Sequence, residues 1–145
     1  MTSKSIIKIC SFFDTRQFDI ECISTTCIKS ESHEEIQRFI FSLASLSDSL
    51  CSIEMNYQFE IRMLSRNEIF WKHIGRLKYL RVISLKYCGL SSSSTIGFGS
   101  VITRLDYLED LDVEGNPIEA LGAFYLLSDH IKIKKWIFKN CSIDK

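Results

Sequence analysis

Histidine, cysteine and clustered charge are the side chains of this 145-residue chain that could do chemistry. The three histidines, His33, His73 and His130, lie far apart in sequence and read as helix-surface or boundary residues. A structural zinc site needs closely paired thiolates, but no Cys-x-x-Cys occurs, and Cys22 and Cys27 have no matched second pair. Gly97-Phe98-Gly99 lacks the rest of a phosphate-binding loop. Ser91-Ser92-Ser93-Ser94 reads as a flexible loop after Leu90. Trp71 and Trp136 read as structural, with Trp136 at a core position. These observations predict a non-enzyme that uses no cofactor and holds no metal.

Charge is the remaining resource. Eighteen Lys and Arg balance eighteen Asp and Glu, so the chain is formally neutral. That argues against a protein whose main work is neutralising many phosphates. The charge is nevertheless patterned. Residues 106–119 carry six carboxylates and no basic residue, and Lys132, Lys134, Lys135, Lys139 and Lys145 follow. No apolar run approaches the ~20 residues of a membrane helix. Met1 to Phe18 holds only a short apolar stretch, broken by Lys8 and without a small-residue cleavage site. The expected location is therefore cytoplasmic or nuclear, with secretion left open. The six cysteines then read as reduced and mostly buried.

The elements that must position these residues come from an internal repeat. Residues 77–90 read Leu77-x-x-Leu80-x-x-Ile83-x-Leu85-x-x-Cys88-x-Leu90. The same template recurs 28 residues later as Leu105-x-x-Leu108-x-x-Leu111-x-Val113-x-x-Asn116-x-Ile118. A third copy, 25 residues on, is Ile133-x-x-Trp136-x-Phe138-x-x-Cys141-x-Ile143. Upstream, Leu50-x-x-Ile53-x-Met55 gives a weaker copy, with Phe59 and Ile61 one residue late. The x-apolar-x-apolar-x centre is a short strand that alternates between two faces. The Asn or Cys turns the chain out of the strand, where its side chain can bond the backbone of neighbouring units.

Helices are expected between the strands: Asn67 to Gly75 (Ile69, Phe70, Ile74), Gly99 to Tyr107 (Val101, Ile102, Leu105) and Pro117 to Asp129 (Leu121, Phe124, Tyr125, Leu127). Strand and helix alternating at a fixed period, with right-handed crossovers, make a parallel β/α solenoid. In the first 45 residues, Ile6, Ile7 and Ile9 suggest a strand and Phe18-x-Ile20-x-Cys22 a second. Ser32-His33-Glu34-Glu35 is a capping box opening a helix with Ile36, Phe39, Ile40, Leu43 and Leu46.

On these motifs the chain resembles the leucine-rich repeat family, in particular its ribonuclease-inhibitor-like and cysteine-containing subtypes. The resemblance covers roughly residues 46–145. It implies an α/β fold with a parallel sheet on a concave face and helices on a convex face. Residues 1–45 would form an N-terminal cap, and residues 46–145 about four coils continuous with its core.

In such a solenoid the alternate strand positions face solvent and partners. The expected partner-binding residues are Glu54; Lys86 and Tyr87; Asp110, Asp112 and Glu114; and Lys135, Ile137 and Lys139. The repeat offsets place Lys86 beside Glu114, Glu114 beside Lys139, Asp110 beside Lys135 and Asp112 beside Ile137. Most of the basic tail is thus compensated by the acidic strand, which argues against nucleic acid and for a protein partner. The predicted function is a protein–protein interaction module without catalysis. The alternatives are an accessory subunit on a large intracellular assembly and a secreted effector-like protein. The chain stops two residues after Ile143, so the last strand is expected to offer an open edge for another protein or a second copy.

Overall fold

A computed structural model describes residues 20–26, 33–57, 62, 66, 68–128 and 132–143. Five strands form one sheet: β1 (Cys22–Thr26), β2 (Ser52–Asn56), β3 (Val82–Ser84), β4 (Asp110–Asp112) and β5 (Lys135–Ile137). Helices accompany them in the described residues: α1 (His33–Ser42), continued by a 3-10 turn at Leu43–Leu46, then α2 (Glu68–Ile74), α3 (Ser92–Ile102) and α4 (Glu119–Leu127). The fold is α/β. The sheet is wholly parallel and its strands lie in chain order. Ile23, Ile53, Ile83, Leu111 and Trp136 stand in one row across it.

The three central strands each point one alternate set of residues into the core. Ile53 and Met55 of β2 point into the core, as do Ile83 with Leu85 and Leu111 with Val113. They meet Phe70, Trp71 and Ile74 of α2, so the helices cover one face of the sheet only. The helices contact one another in chain order, α1 to α2, α2 to α3 and α3 to α4. No helix among the described residues is long and apolar enough to cross a membrane.

The template's turn position behaves as the spacing predicts. Asn116 is fully buried, and its Oδ1 accepts the amides of Cys88 and Leu90 at 2.9 and 3.0 Å. Its Nδ2 donates to the carbonyls of Leu85 and Val113, both at 2.7 Å. Cys88 Sγ donates to the Met55 carbonyl at 2.9 Å, and Cys141 Sγ to the Val113 carbonyl at 3.2 Å. These side chains thus serve buried backbone groups of adjacent units, which must find partners away from water. Burial pushes the Cys141 thiol above its ordinary range, which suits a donor rather than a nucleophile.

Several sequence expectations need correction. In the described residues the second early strand runs Cys22–Thr26, after Ile20 and Glu21, and pairs with β2 as part of the same sheet; Phe18 lies outside the described residues. The four serines are not a flexible loop. Ser91 is an extended N-cap (φ −109°, ψ 171°) whose amide donates to Ser94 Oγ at 3.5 Å, and Ser92 opens α3. That helix therefore lies seven residues earlier than the expected start at Gly99. In α2 the inward face is Phe70, Trp71 and Ile74, and Ile69 points out.

In α4 the inward face is Gly122, Ala123 and Leu126, while Leu121, Phe124, Tyr125 and Leu127 are exposed. The cause is close helix packing. A Cβ on Gly99 would stand 2.9 Å from the Tyr125 carbonyl oxygen, and one on Gly122 would stand 2.9 Å from Thr95 Oγ1. The small residues must face each other, which turns the large ones outward. Trp136 is only partly buried, stacked on Phe138 with ring centres 5.6 Å apart. The expected strand at Ile6–Ile9, the capping serine Ser32, and Cys10, Cys27, Phe59, Ile61, His130 and Lys145 lie outside the described residues.

Candidate interaction surface

The face of the sheet turned away from the helices carries the other alternate set: Glu54 and Asn56, Val82 and Ser84, Asp110 and Asp112, Lys135 and Ile137. With Lys86 they line a shallow groove of about 170 Å³. Parallel pairing fixes their order. Glu54 faces Ser84, Ser84 faces Asp112, Asp112 faces Ile137, and Asp110 faces Lys135. The last two relations are those that the repeat offsets predict.

Lys86 is the hub of this face. Its Nζ lies 2.9 Å from Asp112 Oδ2 and 3.9 Å from Glu114 Oε2. The expected neighbour Glu114 is thus in reach, but the closer carboxylate is Asp112, one step diagonally back. The Asp112 hydrogen bond, with help from both carboxylates, holds the ammonium above the usual lysine range. The backbone carries it too: the Lys86 amide and Ser84 Oγ both donate to Asn56 Oδ1 at 2.9 Å. Asp112 Oδ1 accepts the Glu114 amide at 3.1 Å. Glu54 is steadied by Ser24 Oγ at 3.3 Å. Lys86, Asp112 and Glu54 of the charged row are therefore held in place by the chain's own hydrogen bonds.

Three of the expected residues, Glu114, Lys139 and Tyr87, sit at the rim rather than in the groove. Glu114 Oε1 lies 3.9 Å from the exposed Lys139 Nζ, beyond the strand ends. Tyr87 does not project over the strands. Its φ is +53°, its ring stacks on Tyr57 at 5.0 Å and 2°, and it lies along the Gly115 turn. Left-handed backbone at a bulky residue is costly, of order 1–2 kcal/mol. Here it recurs at equivalent turns: Tyr57 (+59°), Tyr87 (+53°), Gly115 (+70°) and Asn140 (+58°). The turn geometry is common to the units, and the residue type varies.

Outside the groove the basic tail is compensated along one edge. Lys132 reaches Asp106 at 2.9 Å and Lys134 reaches Glu109 at 2.7 Å. The Lys134 hydrogen bond holds the Glu109 carboxyl below its ordinary range. Exposed pairs of this kind orient side chains more than they stabilise. His73 is stacked on Phe41 with centroids 4.0 Å apart. Among the described residues no group of three or more His, Cys, Asp or Glu side chains could hold a metal ion.

Sequence reasoning missed two surfaces. One is the apolar outer side of α4. The other is a groove between α2 and α3 that contains Arg66, Lys72 and Arg104. The glycines of α3 and α4 were the available signal for the first. The second joins positions outside the repeat template, so no spacing announced it. No protein-family model and no curated protein matches the chain.

Proposed function

We propose that the chain is a short leucine-rich repeat solenoid that binds a protein partner, without catalysis, through the outer and concave face of its sheet. The fold reading is supported by five parallel strands in chain order and by Asn or Cys at the same turn in successive units, each bonded back to the preceding one. The observation that carries the functional reading is the pre-ordered row on that face. Alternating charges are fixed by hydrogen bonds around a shallow groove that also offers Val82 and Ile137. Such a surface costs little ordering entropy on binding and selects by charge pattern. Its mixed sign suits a protein segment better than a polyanion.

A second reading is an accessory subunit docked on a larger assembly. It draws on α4, where Leu121, Phe124, Tyr125 and Leu127 are 38–64% exposed on one nine-residue helix. Contiguous apolar exposure of this kind marks surfaces that a partner covers.

The test is affinity purification of the tagged chain from its native source, with partners identified by mass spectrometry. Val82→Asp with Lys135→Glu should release the partner while the fold, followed by circular dichroism, is kept. Retention by that variant and release by Leu121→Lys with Phe124→Lys would favour the second reading and overturn the first.

A further inference from the structure

A second groove lies on the helical side, away from the sheet face. It has a volume of about 600 Å³ between α2 and α3. Its walls carry three cations, Arg66, Lys72 and Arg104, and one carboxylate, Glu68. All four side chains are exposed. Among the described residues none of them closes an ion pair, whereas Lys86, Lys132, Lys134 and Lys139 each reach a carboxylate. Three unpaired cations thus line one concave place. The groove also has an apolar element, since Ile96 is 53% exposed in its wall.

We infer that this groove docks an acidic segment of a partner protein that carries an aliphatic side chain. Two guanidinium groups and an ammonium favour carboxylates, the guanidinium groups in forked geometry. Ile96 gives the segment an apolar anchor, which a free anion would not use. A nucleic acid fits less well. The wall contains Trp71, but that ring is 2% exposed and already stacked on Phe98 at 4.3 Å and 11°. It has no face left for a base to stack on, and base stacking is what holds single strands in such grooves. The site is distinct from the sheet face, so either surface can fail without the other.

The test uses the full chain and a fluorescein-labelled peptide of Glu-Glu-Leu repeats, about twelve residues long and able to reach ~40 Å, read by fluorescence anisotropy. Wild type should bind it at low salt and lose affinity as salt rises, because exposed pairs are screened. Lys72→Glu with Arg104→Glu should weaken binding at least about tenfold, and Ile96→Asp severalfold, for loss of charge and of apolar contact respectively. Glu68→Gln should strengthen it, a gain that misfolding cannot imitate. Lys135→Glu on the sheet face should leave it unchanged. Failure of wild type to bind, or binding indifferent to charge reversal, overturns the inference. So does tighter binding of an oligouridylate of equal length, which would mark the groove as a nucleic-acid surface.

Discussion

Asn116 and Cys88 occupy the same place in adjacent units, and the Asn116 carboxamide oxygen accepts the Cys88 amide at 2.9 Å. The carboxamide serves four backbone groups of two units at once, from a fully buried position. Asn116→Ala should leave two amides and the Leu85 carbonyl without this partner, while the Val113 carbonyl keeps the Cys141 thiol. At ~1–3 kcal/mol for each unsatisfied buried group, partly relieved by water, the loss should be about 3 kcal/mol or more. Asn116→Cys should retain more stability, because a thiol at the equivalent positions 88 and 141 still reaches the preceding strand. Thermal unfolding followed by circular dichroism ranks the three proteins. Equal losses in both variants would contradict the ladder.

Gly115 and Tyr87 are coupled in a different way. A Cβ on Gly115 would lie 2.2 Å from the Tyr87 Cε1 atom, and Gly115 has φ +70°. Gly115→Ala should cost about 2–3 kcal/mol: roughly 1 for the left-handed backbone and the rest for displacing the ring from its Tyr57 stack. In the Tyr87→Ala background only the backbone part should remain. A double-mutant cycle in urea should give a coupling of about 1 kcal/mol or more. Strict additivity would mean that the ring does not press on the turn.

The strands β3, β4 and β5 and their register were legible because two signals coincide there: apolar residues alternate with period two, and an Asn or Cys follows each strand at a fixed distance. Lys86, Asp110, Asp112, Lys135 and Ile137 could be placed on one face from those signals alone. The diagonal approach of Lys86 to Asp112 was not, since it depends on side-chain reach rather than on register. Tyr87 was misplaced because a left-handed turn swings its ring away from the strand direction. The helices were less legible. Ser91–Ser94 has the composition of a loop and the geometry of a helix start. In α4, the glycine contact with α3 turns Leu121, Phe124, Tyr125 and Leu127 outward, against the usual rule that the large residues face inward.

That inversion can be measured. Phe124 is 64% exposed and Leu126 fully buried, although both are large apolar residues of one helix. Phe124→Ala should therefore change stability by less than about 1 kcal/mol, as surface substitutions do. Leu126→Ala should cost about 2–5 kcal/mol through lost burial and the cavity left behind. Urea unfolding of both variants checks the assignment. The opposite ranking would restore the apolar-inward face that the sequence alone suggests.

His73 supplies the pH dependence. Its ring stacks on Phe41, and its Nδ1 is buried without a hydrogen-bond partner among the described residues. Burial first, then the charges of Arg76 and Lys72, hold its pKa below the ordinary histidine value. The folded chain therefore keeps the imidazole neutral where the unfolded chain, titrating near ~6.5, takes up a proton. Below that pH the unfolded state binds more protons, so the contribution is present above ~6.5 and is lost as pH falls through the folded value. His73→Phe keeps a ring against Phe41 and removes both the titration and the unsatisfied nitrogen. Melting temperatures between about pH 7.5 and 5.5 should fall less steeply for that variant than for wild type. His33 and His130 are common to both proteins, so their titration cancels in the difference. Identical slopes would show that the imidazole takes up its proton as readily folded as unfolded.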